Sequence, residues 1–162
     1  MNRYVLSILV RNHSGVLSRI TALFSRRGYN IESLSVGITE DDNISRITVV
    51  TTGDDATVDQ IVKQVNKLVE VKKVVLLSDD DSVCRELMLI KVKATKATRG
   101  SIIEITNIFR AKVVDVAKES IVIEATGNNA KLQALLGLLE SFEIIEIVRT
   151  GLAGIGRGSE RL

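Results

Sequence analysis

Residues 4–10, YVLSILV, are almost continuously apolar, the pattern of a strand buried on both faces. After a short polar loop, Val16, Leu17, Ile20, Leu23 and Phe24 recur at the spacing of one helix face. Arg26 and Arg27 suit the negative end of that helix, and Gly28 terminates it. Leu34, Val36 and Ile38 then alternate as a strand, EDDN at 40–43 reads as a turn, and RITVVTT at 46–52 as the returning strand. Val58, Ile61, Val62, Val65 and Leu68 mark a second amphipathic helix, and KVVLL at 73–77 a fourth strand. The order β-α-β-β-α-β predicts an antiparallel sheet with two helices on one face.

The apolar-free SDDDS at 78–82 interrupts the pattern, and the same plan restarts. ELMLIKVKA at 86–94 reads as a strand, residues 100–110 as a helix, and KVVDV and SIVIEA as paired strands. A helix carrying Leu132, Leu135, Leu136 and Leu139 precedes a last strand, EIIEIV. Gly15, Ile20, Thr21 and Phe24 return as Gly100, Ile105, Thr106 and Phe109, and TGDDA at 52–56 returns as TGNNA at 126–130. The chain therefore reads as an internal repeat of the α+β class, two tandem ferredoxin-like βαββαβ units. The expected divisions are 1–78, an acidic linker at 79–83, 84–150, and a Gly-rich tail at 151–162, flexible or a contact segment. Each unit is small, and strands apolar on both faces need cover that two helices cannot give; the other unit or a second chain could supply it, and oligomerisation is expected.

Composition narrows the function classes. Basic and acidic residues number 22 and 20, a net charge of +2, which gives little long-range attraction for nucleic acid. Aromatics are 3%, few for stacking bases, so an RNA binder on this scaffold is disfavoured. No apolar run suits a membrane span, and the N-terminus reads as a strand rather than a signal peptide. One Cys, Cys84, and one His, His13, leave no internal disulfide and no conventional zinc site, and a cytoplasmic location is expected. Asp79, Asp80 and Asp81 read as solvated connector residues, and Cys84 as structural rather than reactive. GLAGIGRG lacks the spacing and the following helix of a dinucleotide fingerprint.

The loop RNHSG at 11–15 is the chemical focus. A strand–loop–helix junction presents free backbone N–H groups and the positive end of a helix dipole, which favour a small anion such as a carboxylate. Ser14 is the expected N-cap, Gly15 permits close approach, and Asn12 offers an amide that both donates and accepts. A Ser-His catalytic pair is disfavoured, because adjacent side chains on a tight turn point apart and no third residue orients the ring.

GVLSRITALFSRRGYNIESLSVG at 15–37 resembles the signature of the small, regulatory subunits of acetolactate synthase (acetohydroxyacid synthase). The resemblance continues through SRIT, KQVNKLVEV, RELMLIKV, FRAKVVDV and RTGLAGIGRG, nearly the whole chain. It implies that the first unit is an ACT domain that binds an effector and dimerises. It further implies a non-catalytic chain that activates a catalytic large subunit and confers feedback inhibition by L-valine in branched-chain amino acid biosynthesis. Thiamine diphosphate, magnesium and FAD would belong to that partner, with no cofactor in this chain. Valine would lie between two ACT domains of a homodimer. Asn12, His13, Ser14, Gly15, Val16 and Leu17 would come from one chain, and Asn30 and Ile31 from the other. In these roles backbone N–H groups near Gly15 to Leu17 hold the carboxylate, and Asn12 and the Asn30 region meet the ammonium group. Val16, Leu17 and Ile31 wall the side chain. The second copy's loop, TKATRG, replaces Asn-His-Ser with Ala97, Thr98 and Arg99, so no second valine site is expected there. The alternative is a stand-alone amino-acid-sensing ACT protein, which copurification with a thiamine-diphosphate enzyme would exclude.

Overall fold

The structure, a computed structural model, describes residues 2–159. The chain divides into two compact units: residues through Cys84 together with those from Leu152 onward, and Arg85–Gly151 between them.

In the first unit the elements follow the predicted order: β1 (Asn2–Arg11), α1 (Val16–Arg26), β2 (Ile31–Ile38), β3 (Ile44–Gly53), α2 (Asp55–Val65) and β4 (Val71–Leu77). The strands form an antiparallel sheet in the order β2-β3-β1-β4. Val16, Ile20, Leu23 and Phe24 of α1 and Ile61 and Val65 of α2 pack on Leu6, Ile8, Val10, Ile47 and Val49. Strand alternation sends these five sheet residues to one face, and helix spacing sends the others to meet them. The end of α1 follows from Gly28, which takes φ 70. Its N–H donates to Ser25 O at 3.1 Å, and the Tyr29 N–H to Phe24 O at 3.0 Å. This is the Schellman pattern, and its hydrophobic contact is Phe24 edge-on to Tyr29 at 6.2 Å.

The opposite face of the sheet is where the sequence reading needs correction in part. Residues 151–162, of which 160–162 lie outside the described residues, are expected to form a flexible tail or a contact segment; the second holds, with Leu152 buried against Val5 and Val50, beside Leu77 and Cys84. The Leu152 N–H donates to Ser33 Oγ at 3.3 Å, and Ser35 Oγ donates to Leu152 O at 2.8 Å. Ala153–Gly156 follow as β9, which pairs with β5, and the Arg157 N–H donates to Asp81 O at 2.7 Å. Here glycine serves close packing: a Cβ on Gly154 would fall 2.5 Å from Leu77 Cδ1 and 3.0 Å from Cys84 Sγ. Part of the cover required by YVLSILV thus comes from the chain itself. Ser78–Asp81 form a turn closed by the Asp81 N–H on Ser78 Oγ, 3.2 Å. The strand after it starts at Ser82, inside the expected linker, and Cys84 belongs to the first unit.

The second unit is built from β5 (Ser82–Lys93, entered from the first unit), α3 (Arg99–Ile108), β6 (Lys112–Val116), β7 (Ser120–Gly127), α4 (Asn129–Leu139) and β8 (Ile144–Arg149). Its sheet order, β6-β7-β5-β8, matches that of the first unit position for position. Met88, Ile90, Val92, Ile102, Ile121, Ile123, Leu132, Leu135 and Leu139 make its core. The repeated TG(D/N)(D/N)A motif has a physical meaning in both copies. Asp54 Oδ1 accepts the Thr57 N–H at 2.7 Å, and Asn128 Oδ1 accepts the Lys131 N–H at 3.0 Å. Each motif is a strand end followed by a self-capping helix start.

Candidate functional site

The loop between β1 and α1 is held at its first residue. The Asn12 N–H donates to Asn43 O at 2.7 Å, and its side-chain amide Nδ2 donates to Asp42 O at 2.8 Å. Both acceptors lie in the β2–β3 turn. With Nδ2 so engaged, Asn12 Oδ1 faces away as an acceptor.

The helix start departs from expectation at Ser14. The N-cap is Gly15, at φ 88, and no side chain caps the first turn. Ser14 therefore does not satisfy the Val16 and Leu17 N–H groups, because a left-handed residue intervenes between it and the helix. α2 and α4 close their starts with Asp54 and Asn128, whereas α1, like α3, has no side-chain cap, and a Cβ added to Gly15 would meet nothing within 4 Å.

His13 is exposed, with Nδ1 3.1 Å from Ser14 O, its neighbour's carbonyl and not its hydroxyl. An imidazole so placed does not activate Ser14. Val16 is 4% exposed, so its side chain belongs to the core and only its N–H serves the loop, contrary to the wall role expected for it. Leu17, at 37%, supplies apolar surface. Among the described residues no group of three His, Cys, Asp or Glu side chains is placed to hold a metal ion, and no helix is long and apolar enough to cross a membrane.

Asn30 and Ile31 lie elsewhere in the unit. Asn30 O accepts from Thr51 Oγ1 at 2.7 Å, and Ile31 pairs with Thr51, which on its other side pairs with Tyr4. The loop follows Arg11, seven residues further along β1, or about 23 Å at the rise of a strand. One chain therefore does not bring the two halves of the expected site together.

The second unit's corresponding loop is cross-linked by its own side chains, although none of them caps the first turn of α3. The Thr95 N–H donates to Thr98 Oγ1 at 2.9 Å, and the Thr98 N–H to Thr95 Oγ1 at 3.3 Å. Arg99 donates to the Ala117 and Lys118 carbonyls at 2.9 and 3.0 Å.

Residues 6–73 match the model of the AHAS small subunit-like ACT domain, and residues 85–158 that of the small subunit of acetolactate synthase. The acetolactate synthase small subunit of Mycolicibacterium smegmatis is 54% identical over 155 residues, 96% of this chain and 91% of the relative. The chain belongs to the acetolactate synthase small-subunit family. A relative from Archaeoglobus fulgidus is 48% identical over 159 residues, covering 98% of this chain and 99% of its own. The crystal structure of the small subunit from Thermotoga maritima superposes with a TM-score of 0.88 at 39% identity, across 99% of this chain and 100% of that one. The first unit is thus an ACT domain, and the chain is of the regulatory, non-catalytic kind that defines the small-subunit family.

Two features of the small subunit escaped the sequence reading. Leu152 and β9 left only a weak trace, the alternation of Leu152, Gly154 and Gly156 against Ala153 and Ile155. Glu70, at the α2–β4 corner, lies in the KQVNKLVEV stretch, but nothing there marks its contacts with Arg11 and Arg19, which are remote in sequence.

Proposed function

We propose that this chain binds and activates the catalytic large subunit of acetolactate synthase and makes it sensitive to L-valine, bound between the ACT domains of two copies. The observation that carries this reading is the open start of α1 beside Asn12. The uncapped N–H groups at Val16 and Leu17 suit a carboxylate, and Asn12 Oδ1 accepts from an ammonium group about one residue away. Leu17 of one copy and Ile31 of the other supply apolar surface for a branched side chain. β2 favours a second copy: it is an edge strand, with Val36 and Ile38 exposed at 50% and 64%. Edges of that kind pair with another chain unless blunted.

Valine joining two ACT domains changes their packing and biases the catalytic subunits toward a less active state. Couplings of about 1–3 kcal/mol suffice for such control. The catalytic partner supplies thiamine diphosphate, magnesium and FAD and condenses two pyruvates, or pyruvate with 2-ketobutyrate. The chain acts in the cytoplasm.

Calorimetric titration of L-valine into wild type, Gly15→Asp and Gly15→Asn tests the site. Both variants meet the same backbone demand at φ 88, and only Asp places a negative charge where the carboxylate binds. Binding by wild type and Gly15→Asn, with loss in Gly15→Asp, is expected. Retained valine binding in Gly15→Asp removes the loop from the site.

A further inference from the structure

Both ends of the β1–α1 loop converge on one residue. Glu70 is 8% exposed and sits where the chain leaves α2 and enters β4. Its carbonyl accepts the Arg11 N–H at 2.9 Å, which fixes the last residue of β1. Its carboxylate pairs with Arg19, whose own N–H donates to Gly15 O at 3.1 Å and so closes the first turn of α1. The main chain of Glu70 therefore holds the foot of the strand and its side chain the foot of the helix. Only residues 12–15 span the gap, and Asn12 ties them to the β2–β3 turn.

We propose that Glu70 is a positioning residue for effector binding. It sets the distance and direction between the strand end carrying Asn12 and the uncapped N–H groups of α1. The inference rests on the effector reading of the loop. It adds a residue that touches no ligand, outside the loop and the β2 start. The Arg19 side chain is 65% exposed, and a pair exposed on both sides would contribute little. Glu70 is the other kind of partner. Its side chain is 11% exposed, so a charge left there without Arg19 is poorly solvated and the corner rearranges around it.

The test uses the full chain and the variants Glu70→Gln, Arg19→Met and Arg19→Lys. Met and Lys both keep an unbranched stem, and only Lys keeps a charge for Glu70. Without ligand, hydrogen exchange at the Arg11, Asn12 and Arg19 amides, which are hydrogen-bonded at the two ends of the loop, should quicken roughly tenfold in Glu70→Gln and Arg19→Met, while β3 stays protected. Arg19→Lys should exchange as wild type does. In calorimetry, the valine dissociation constant should rise about tenfold in the first two variants and recover in Arg19→Lys.

Unchanged loop exchange in Glu70→Gln and Arg19→Met overturns the inference. So does quickening spread evenly through β3, which would mark general destabilisation. Should Glu70→Gln fail to fold, the Met and Lys variants at Arg19 carry the same comparison. Wild type that binds valine, with variants that bind it equally well, also overturns the positioning role. Wild type that binds no valine overturns the effector reading instead, and the exchange data then judge the clamp alone.

Discussion

Single residues decide whether each helix start in this chain is closed or open. Asp54 and Asn128 fold back onto their own first turns, whereas Gly15 leaves that of α1 bare. Replacing Asn128 with Ala should cost about 1 kcal/mol in urea unfolding, the usual worth of such a cap. Asp54 adds a pH dependence. Hydrogen bonds from Thr57, side chain first and then backbone, hold its carboxyl below the ordinary 3.8. A group depressed in the folded state stabilises above its unfolded value, and that stability goes as pH falls through the folded value. Wild type should therefore lose more stability than Asp54→Asn between about pH 4 and lower pH, with the two curves parallel above pH 5. Coincident curves throughout would remove Asp54 as a source of acid sensitivity. At this scale the loop and the helix it enters were legible, with Asn12 and Gly15 between strand and helix. Ser14 was misread because its cap role depended on backbone angles at Gly15, which composition does not reveal.

Elements were legible where periodicity was long. The helix faces of α1 and α2 and the alternation of β1 and β3 gave the first sheet, and Gly28 marked the stop that the Schellman bonds make. β9 was not legible: four residues, two of them glycine, show too few side chains to reveal a period. Leu152, just before it, is seated by partners far away in sequence, Ser33, Ser35, Val5 and Val50. Leu152, 3% exposed, is the anchor, and Leu152→Ala should cost about 2–5 kcal/mol. Thermal unfolding measures the loss, and exchange should quicken in β1 and β3 before the core of the second unit. A Leu152→Ala protein as stable as wild type would show that this segment is only laid against the sheet.

On the scale of the whole molecule, one plan is used twice with unequal chemistry. Both units share the strand order and the capping motif, yet the second loop is cross-linked by Thr95, Thr98 and Arg99, whereas the first is tied through Asn12 to the β2–β3 turn. The repeat was visible in the sequence; the division of the chain was only partly so, because the first unit is made from two separate stretches. Assembly adds a further test. Val36→Lys with Ile38→Lys places two charges on the β2 edge, the usual way to block strand pairing. Sedimentation should show a dimer for wild type and a monomer for the double variant, with valine binding lost alongside. A double variant that remains dimeric puts the interface elsewhere.

The return of Leu152 to β1 and β3 also orders events during translation. The ribosome makes Val5, Val50 and Leu77 first and Leu152 only after residues 85–151 have been added. At about 5–20 residues per second this interval lasts roughly 3–13 s. Throughout it the apolar patch of Val5, Val50 and Leu77 on the back of the first sheet lacks Leu152, a target for chaperones and for other nascent chains. A message cut short before codon 152 yields a first unit without its own backing, which cellular proteases can recognise and clear.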